Sequence, residues 1–215
     1  MKLLITGTNR GIGAALKGEL TGRGHTVTGT HRGAPTADTL SLDVTDSASI
    51  AALGDHYADA TLDGLVCNAG VYLDKGMALE DMDAAMWGQS LAANVTGVFL
   101  TIQAVLPALR RAQGAKIGII SSIMASSTKA PGGSYAYRAS KAAALNLGRN
   151  IAADFARDGI AVQIFHPGWI QTDMGGAGAD LTMDEAAPQL ASRIEEIDIA
   201  RTGAILTNAG TEIQF

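Results

Sequence analysis

One cysteine in 215 residues, Cys67, leaves no internal disulfide to staple the fold. A reducing compartment fits that usage. Charge is also scarce, at 17% of residues, with 16 Lys and Arg against 21 Asp and Glu, a net charge of −5. That balance supplies no basic footprint for a nucleic acid, although single cations can still hold a phosphate locally. No internal repeat, low-complexity tract or Pro/Ser-rich linker divides the chain. Long apolar runs are lacking as well. The opening Met1-Lys2-Leu3-Leu4-Ile5 is signal-like for only a few residues before Thr6-Gly7 and Arg10 end it. No stretch is expected to approach a membrane span, so the expected partners include no membrane and the expected location is cytoplasmic. What the chain does have is 47% hydrophobic residues. That is enough to core one α/β domain spanning 1–215.

Short apolar runs alternate with longer helical patterns. Strands are expected at Lys2–Ile5, His25–Thr30, Leu40–Leu42, Leu62–Cys67, Lys116–Ser121, Ile160–Phe165 and Gly203–Leu206. Helices are expected at Gly13–Arg23, at Asp46–Tyr57 with Thr45 or Asp46 as cap, and at Asp83–Arg111 with Pro107 bending or ending it. A further helix, dense in alanine, is expected at Ser134–Arg157. Strand and helix alternating over the whole chain imply a parallel sheet with helices on both faces. Right-handed crossovers make that a doubly wound Rossmann fold. Ligands then bind beyond the carboxyl ends of the strands, which directs attention to the loops there.

The first strand runs into Thr6-Gly7-Thr8-Asn9-Arg10-Gly11-Ile12-Gly13. Glycines in a tight strand-to-helix turn let a diphosphate approach the backbone. The following helix offers it free N–H groups and a positive dipole end. Gly7, Asn9, Arg10, Gly11, Ile12 and Gly13 are therefore expected to cradle a dinucleotide, although the spacing is not the general G-x-G-x-x-G. An acid about 20 residues onward would bind the ribose of NAD. The second strand ends instead in Thr28-Gly29-Thr30-His31-Arg32, with no acid. Arg32 presents a planar charged fork for the 2′-phosphate of NADP, within reach of Arg10 as well. NADP(H) is preferred, and NAD(H) stays open because His31 fills the discriminating position. No metal site is expected.

Tyr137-Arg138-Ala139-Ser140-Lys141 places Tyr137 and Lys141 at i and i+4, on one helical face. A free phenol titrates at about 10. A neighbouring ammonium is expected to lower that value and make the phenol a better acid. Carbonyl reduction needs such a proton donor at oxygen as hydride reaches carbon. Lys141 can also bind ribose hydroxyls, and Tyr135 reads as pocket wall or packing. Ser121-Ser122 ends the fifth strand, and a hydroxyl there can polarise a carbonyl oxygen.

Thr6-Gly7-x-x-x-Gly11-Ile12-Gly13, followed at this distance by Tyr137-x-x-x-Lys141, resembles the short-chain dehydrogenase/reductase family. The motifs run from residue 6 to residue 172 in family order. The resemblance implies that Asp43 and Val44 contact adenine, though Asp43 alone also reads as a turn residue. Asn68-Ala69-Gly70 is similar to the family's Asn-Asn-Ala-Gly segment bordering the ribose, with Cys67 in place of the first Asn. It implies that Ser122, rather than Ser121, orients the substrate oxygen, despite a gap to Tyr137 two residues longer than usual. Asn94 would supply an amide holding a water that links Lys141 to solvent. Pro167, Gly168, Trp169, Ile170 and Thr172 would line the nicotinamide, with His166 structural. The catalytic set is thus Asn94, Ser122, Tyr137 and Lys141, with Tyr137 and Lys141 also touching cofactor.

His166 to Gly176, with Tyr135 to Lys141 and the ending Gly210-Thr211-Glu212-Ile213-Gln214-Phe215, is similar to the C-factor and Sniffer-type carbonyl reductase branch. That branch implies an NADP(H)-dependent reduction of an aldehyde or ketone. Gly175–Leu190 is expected to form a mobile flap. Trp169, Tyr135, Met124 and Met174 are expected to line an apolar pocket. The helices Asp83–Arg111 and Ser134–Arg157 make dimer faces in the family, so a homodimer is possible. Two other functions fit the same residues: a dinucleotide-binding regulatory protein with little turnover, and an NAD-dependent alcohol dehydrogenase.

Overall fold

The computed structural model describes residues 1–214; Phe215, the last residue of the branch-like ending, lies outside the described residues. Seven strands form one sheet: β1 (Lys2–Ile5), β2 (Thr26–His31), β3 (Thr39–Ser41), β4 (Gly64–Cys67), β5 (Lys116–Ile120), β6 (Ala161–His166) and β7 (Ile205–Thr207). Their order is β3-β2-β1-β4-β5-β6-β7, every neighbour parallel. Central β1 pairs Leu4 with Thr28 on one side and with Leu65 on the other. The order reverses between β1 and β4, where a doubly wound sheet opens a crevice at its strand ends.

Side chains alternate across the sheet with period two. Leu3 and Ile5 pack with Leu16, Leu20, Phe165, Leu190 and Ile194 on one face. Leu4 packs on the opposite face with Ile50, Val98, Ile102, Leu109 and Leu145. Helices α1 (Gly11–Gly22) and α6 (Met183–Glu195) therefore cover one side and pack on each other. On the other side lie α2 (Ser47–His56), α4 (Gly97–Arg110) and α5 (Tyr135–Phe155), with α3 (Ala84–Leu91) against α5. Leu3, Leu4 and Ile5 are at most 1% exposed, and each stabilises the fold by about 1.5–3 kcal/mol through burial.

Three expectations are corrected. The second half of the expected flap Gly175–Leu190 is the start of helix α6, not a glycine-governed segment. In fact Thr182 and Glu185 form a reciprocal capping box, and Ala186, Leu190 and Ile194 bury a stripe at i, i+4 and i+8. Pro188 in the second turn obscures this helix in the sequence. The segment before Thr182 and, in the first turn of α6, Met183 border the crevice. Second, the expected helix Asp83–Arg111 is interrupted by a π turn at Ala92–Thr96, and Asn94 lies in that turn. Third, Ala84–Arg110 is, by length and hydropathy, apolar enough to cross a membrane, contrary to the expectation that no stretch approaches a span. Here it is a core element: Val98, Ile102, Val105 and Leu109 are buried against the sheet.

Candidate active site

The carboxyl ends of the strands open into a cleft of about 2030 Å³. That exceeds the few hundred to about 1,000 Å³ of a small-ligand pocket, as a dinucleotide plus substrate requires. Its floor is the β1–α1 loop. Gly7 has φ +72°, and a Cβ there would lie 2.9 Å from the Ala69 Cα. A Cβ on Gly13 would sit 2.3 Å from both the Asn68 Nδ2 and the Gly7 oxygen. The Asn68 amide donates to the carbonyls of Thr6 (2.9 Å) and Gly7 (3.0 Å), bracing the loop from β4.

The entrance to α1 differs from those of α2, α3 and α6. Asp46, Asp83 and Thr182 cap α2, α3 and α6 with side-chain oxygens. Arg10, at the N-cap of α1, gives no such cap, and the first turn holds no acid. Its N–H donors face the cleft without a competing anion, which fits a diphosphate. Gly7, Asn9, Arg10, Gly11, Ile12 and Gly13 all line this part of the cleft.

His31, Arg32, Asp43 and Val44 line its other end. Arg32 is exposed. The Asp43 carboxylate accepts from the Thr45 N–H (2.9 Å) and hydroxyl (2.7 Å), which hold it below the ordinary aspartate range; the Arg32 charge adds a smaller effect. The turn role of Asp43 is therefore explicit. The Arg10 guanidinium pairs with Asp173 at 2.6 Å. Both side chains are more than half exposed, so the pair is cheap to open, at about 0–1 kcal/mol.

The catalytic candidates converge where β5 meets α5. Tyr137 is buried to 7% exposure and Lys141 to 6%. The Ser121 hydroxyl donates to the Lys141 carbonyl (3.1 Å) and is spent inside the fold. The Ser122 hydroxyl instead lies beside the Tyr137 phenol. Burial pushes Tyr137 up to about 12, against a smaller opposing effect from Ser122. The expectation that Lys141 lowers the phenol is thus corrected for this state. The Lys141 Nζ donates to the Ile120 carbonyl (3.0 Å) and lies 5.7 Å from the Tyr137 ring centroid. Burial pulls Lys141 itself down to about 8. Tyr137 is therefore a neutral phenol at ordinary pH, in the form of a proton donor.

Asn94 is 1% exposed and does not line the cleft. Its amide nitrogen donates to the Val71 carbonyl and the Ser140 hydroxyl, both at 2.9 Å, and its oxygen accepts from the Val71 N–H. These three bonds tie Val71 to Ser140 through the Asn94 side chain and leave its oxygen one further lone pair. The π turn around it loosens the regular backbone ladder, and such turns recur at functional sites.

Asn68, Ala69 and Gly70 border the cleft centre, and Pro167, Gly168, Trp169, Ile170 and Thr172 form its far wall. The Thr172 hydroxyl accepts from the Gly175 N–H (3.0 Å). His166 is driven down to about 4, chiefly by burial, so it is neutral and does not compete with Tyr137 for proton transfer. Beyond Tyr137 the wall is apolar, with Leu73, Met124, Trp169, Met174 and Met183; Tyr135, expected there, is exposed and does not line the cleft. Sequence reasoning missed the strap after β4. The Tyr72 ring stacks on Tyr137 with centroids 4.1 Å apart, and the Lys75 ammonium donates to the Met174 carbonyl across the cleft mouth (2.9 Å). It also missed Arg138, whose guanidinium holds the carbonyls of Met124 and Lys129 and so anchors the longer loop after Ser122. No local pattern marks Tyr72 and Lys75, because their partners lie far along the chain.

The sequence model of the short chain dehydrogenase family matches residues 2–182. C-signal of Myxococcus xanthus is 33% identical over 157 residues, covering 72% of this chain and 93% of that protein. A carbonyl reductase from chicken fatty liver, solved with NADPH bound, superposes with a TM-score of 0.90 at 27% identity, covering 100% of this chain and 98% of its own. The carbonyl reductase Sniffer of D. melanogaster gives 0.91 at 26% identity, covering 100% and 99%. With its reversed strand order, uncapped glycine loop and Tyr-Lys helix, the chain belongs to the short chain dehydrogenase family of oxidoreductases, with C-signal and Sniffer among its similar relatives.

Proposed function

We propose that this protein is an NADP(H)-dependent carbonyl reductase acting on small, neutral aldehydes or ketones. The observation that carries the reading is the convergence of Ser122, a buried neutral Tyr137 and Lys141 beside the cleft that the uncapped α1 entrance floors. The glycine loop would hold the diphosphate. Arg32, with Arg10 once released from Asp173, would hold the 2′-phosphate; NADPH in the chicken relative supports that choice. Asn68, Ala69, Gly70, Lys141 and the Pro167–Thr172 segment would border the nicotinamide riboside.

When bound, the nicotinamide supplies hydride to the carbonyl carbon. The Ser122 hydroxyl donates to the carbonyl oxygen and holds it against Tyr137. The Tyr137 phenol then delivers its proton to that oxygen, completing the alcohol. Lys141, charged below about 8, stabilises the phenolate left behind. Asn94 acts through Ser140, which also donates to the Tyr137 carbonyl (2.8 Å), and so fixes the start of α5. The apolar wall around Met124, Trp169 and Met183 favours uncharged substrates.

The test is oxidation of NADPH and of NADH against a panel of small aldehydes, ketones and quinones. Carbonyl-dependent oxidation faster with NADPH is expected. Oxidation supported only by NADH, or turnover confined to alcohols with NAD, would overturn the assignment.

A further inference from the structure

Helix α5 carries both Tyr137 and Lys141, so the position of its first turn sets where the phenol lies. That first turn has an unusual start. Ser134, at the N-cap, sits at φ +52°, in the left-handed region, and its side chain makes no cap. The first N–H groups of a helix have no partner within it. Here they are met from another part of the chain. The Asp74 carboxylate accepts from the Ala136 N–H at 2.8 Å and from the Tyr137 N–H at 3.3 and 3.4 Å. Asp74 is 1% exposed, among the most buried acidic side chains of the fold. A carboxylate is costly to bury without partners, and the positive end of α5 is a favourable place for it.

The same strap bears on the start of α5 in three further ways. The Tyr72 phenol and the Ser134 hydroxyl hydrogen-bond at 2.5 Å. The Tyr72 ring stacks on the Tyr137 ring, 19° from parallel. Val71 holds Asn94, which holds Ser140. Asp74 thus forms the charged end of a strap running from the ribose-bordering Asn68-Ala69-Gly70 segment to the backbone of the proton donor.

We propose that Asp74 is a positioning residue for Tyr137: its carboxylate caps α5 from the β4 strap and fixes the phenol against Ser122. Its importance for turnover rests on Tyr137 being the proton donor; the cap itself does not. Asp74 touches neither substrate nor cofactor, so it acts on the rate through placement. A displacement of about 1 Å at a reacting group costs on the order of a hundredfold in rate.

The experiment compares Asp74→Ala and Asp74→Asn with the parent. Amide hydrogen exchange at Ala136 and Tyr137, the Tyr137 ring-proton shifts, NADPH affinity, and kcat and KM for the best panel carbonyl are all measured. In Asp74→Ala, exchange at those two amides is expected to accelerate at least about tenfold, with β5 and β6 unchanged. The Tyr137 ring signals should lose the shift caused by Tyr72 stacking. kcat should fall about a hundredfold with KM and NADPH affinity little changed. Asp74→Asn keeps one acceptor oxygen and should recover part of each loss; it also serves if the alanine variant does not fold. Unchanged exchange in both variants would overturn the cap. Accelerated exchange with unmoved ring shifts, or with unchanged kcat, would overturn the positioning role. If the parent turns over no panel carbonyl, the reductase reading fails, while exchange and ring shifts still decide the role of Asp74.

Discussion

Replacing Lys141 with methionine keeps the aliphatic stem and removes the ammonium. Lys141 is buried, and desolvation draws it from 10.5 to about 8. Its value in the folded protein lies below its value in the unfolded chain. Between about 8 and 10.5 the unfolded state therefore binds more protons, and wild-type stability gains with rising pH relative to the variant. Below about 8 the folded protein carries a buried cation, and the full cost is present. At about 1.4 kcal/mol per pKa unit, wild type should gain about 2–3 kcal/mol on Lys141→Met between pH 7 and pH 10. Loss of the Lys141 hydrogen bond to the Ile120 carbonyl weakens the variant by an amount that does not vary with pH, so it drops out of the comparison. Cys67, raised to about 12 by burial, titrates alike in the two proteins, and Tyr137, also raised to about 12, stays a phenol in both folded proteins across this range, so both cancel. The assay is urea unfolding of both proteins at several pH values. A stability difference that stays constant across this range, or moves the other way, would refute the picture of a buried, depressed lysine. The variant should also lose most of its turnover, so stability and activity part company at this residue.

Two further substitutions test the cofactor end. Gly13→Ala forces a Cβ into the Asn68 amide and the Gly7 carbonyl. It is expected to cost about 1–3 kcal/mol in unfolding measurements and to abolish NADPH binding by calorimetry. Arg32→Glu places an acid where a 2′-phosphate is expected. Affinity for NADPH should fall at least about tenfold while NADH affinity holds or rises; equal losses for both would place the phosphate elsewhere.

The fold was legible because β1, β4, β5 and β6 are short apolar runs bounded by glycine or polar turns, and α1 and α5 follow their motifs at fixed distance. The cleft-lining residues were legible for a related reason. Doubly wound sheets gather strand-end loops in one place, so Gly7, Arg32, Asn68, Ser122 and Pro167 meet despite wide separation in the chain. What escaped was set by contacts no local pattern encodes. Helix α6 carries proline in its second turn and follows a glycine-rich run. The π turn at Asn94 answers to the loop at Val71, not to residues beside it. Asp74 reaches Ala136 across 62 positions of sequence. The state of Tyr137 escaped too: spacing placed Lys141 on its face, but burial governs both side chains, and the Lys141 ammonium is bonded to the Ile120 carbonyl.

The most direct test of the account is Tyr137→Phe, assayed for NADPH binding and for carbonyl-dependent NADPH oxidation. The account predicts unchanged affinity and a kcat reduced by about 10²–10⁴, the usual worth of a positioned general acid. Turnover preserved in the variant would contradict the assignment of Tyr137. Tight NADPH binding with no turnover even in the parent would contradict the reductase reading and favour a dinucleotide-binding regulator.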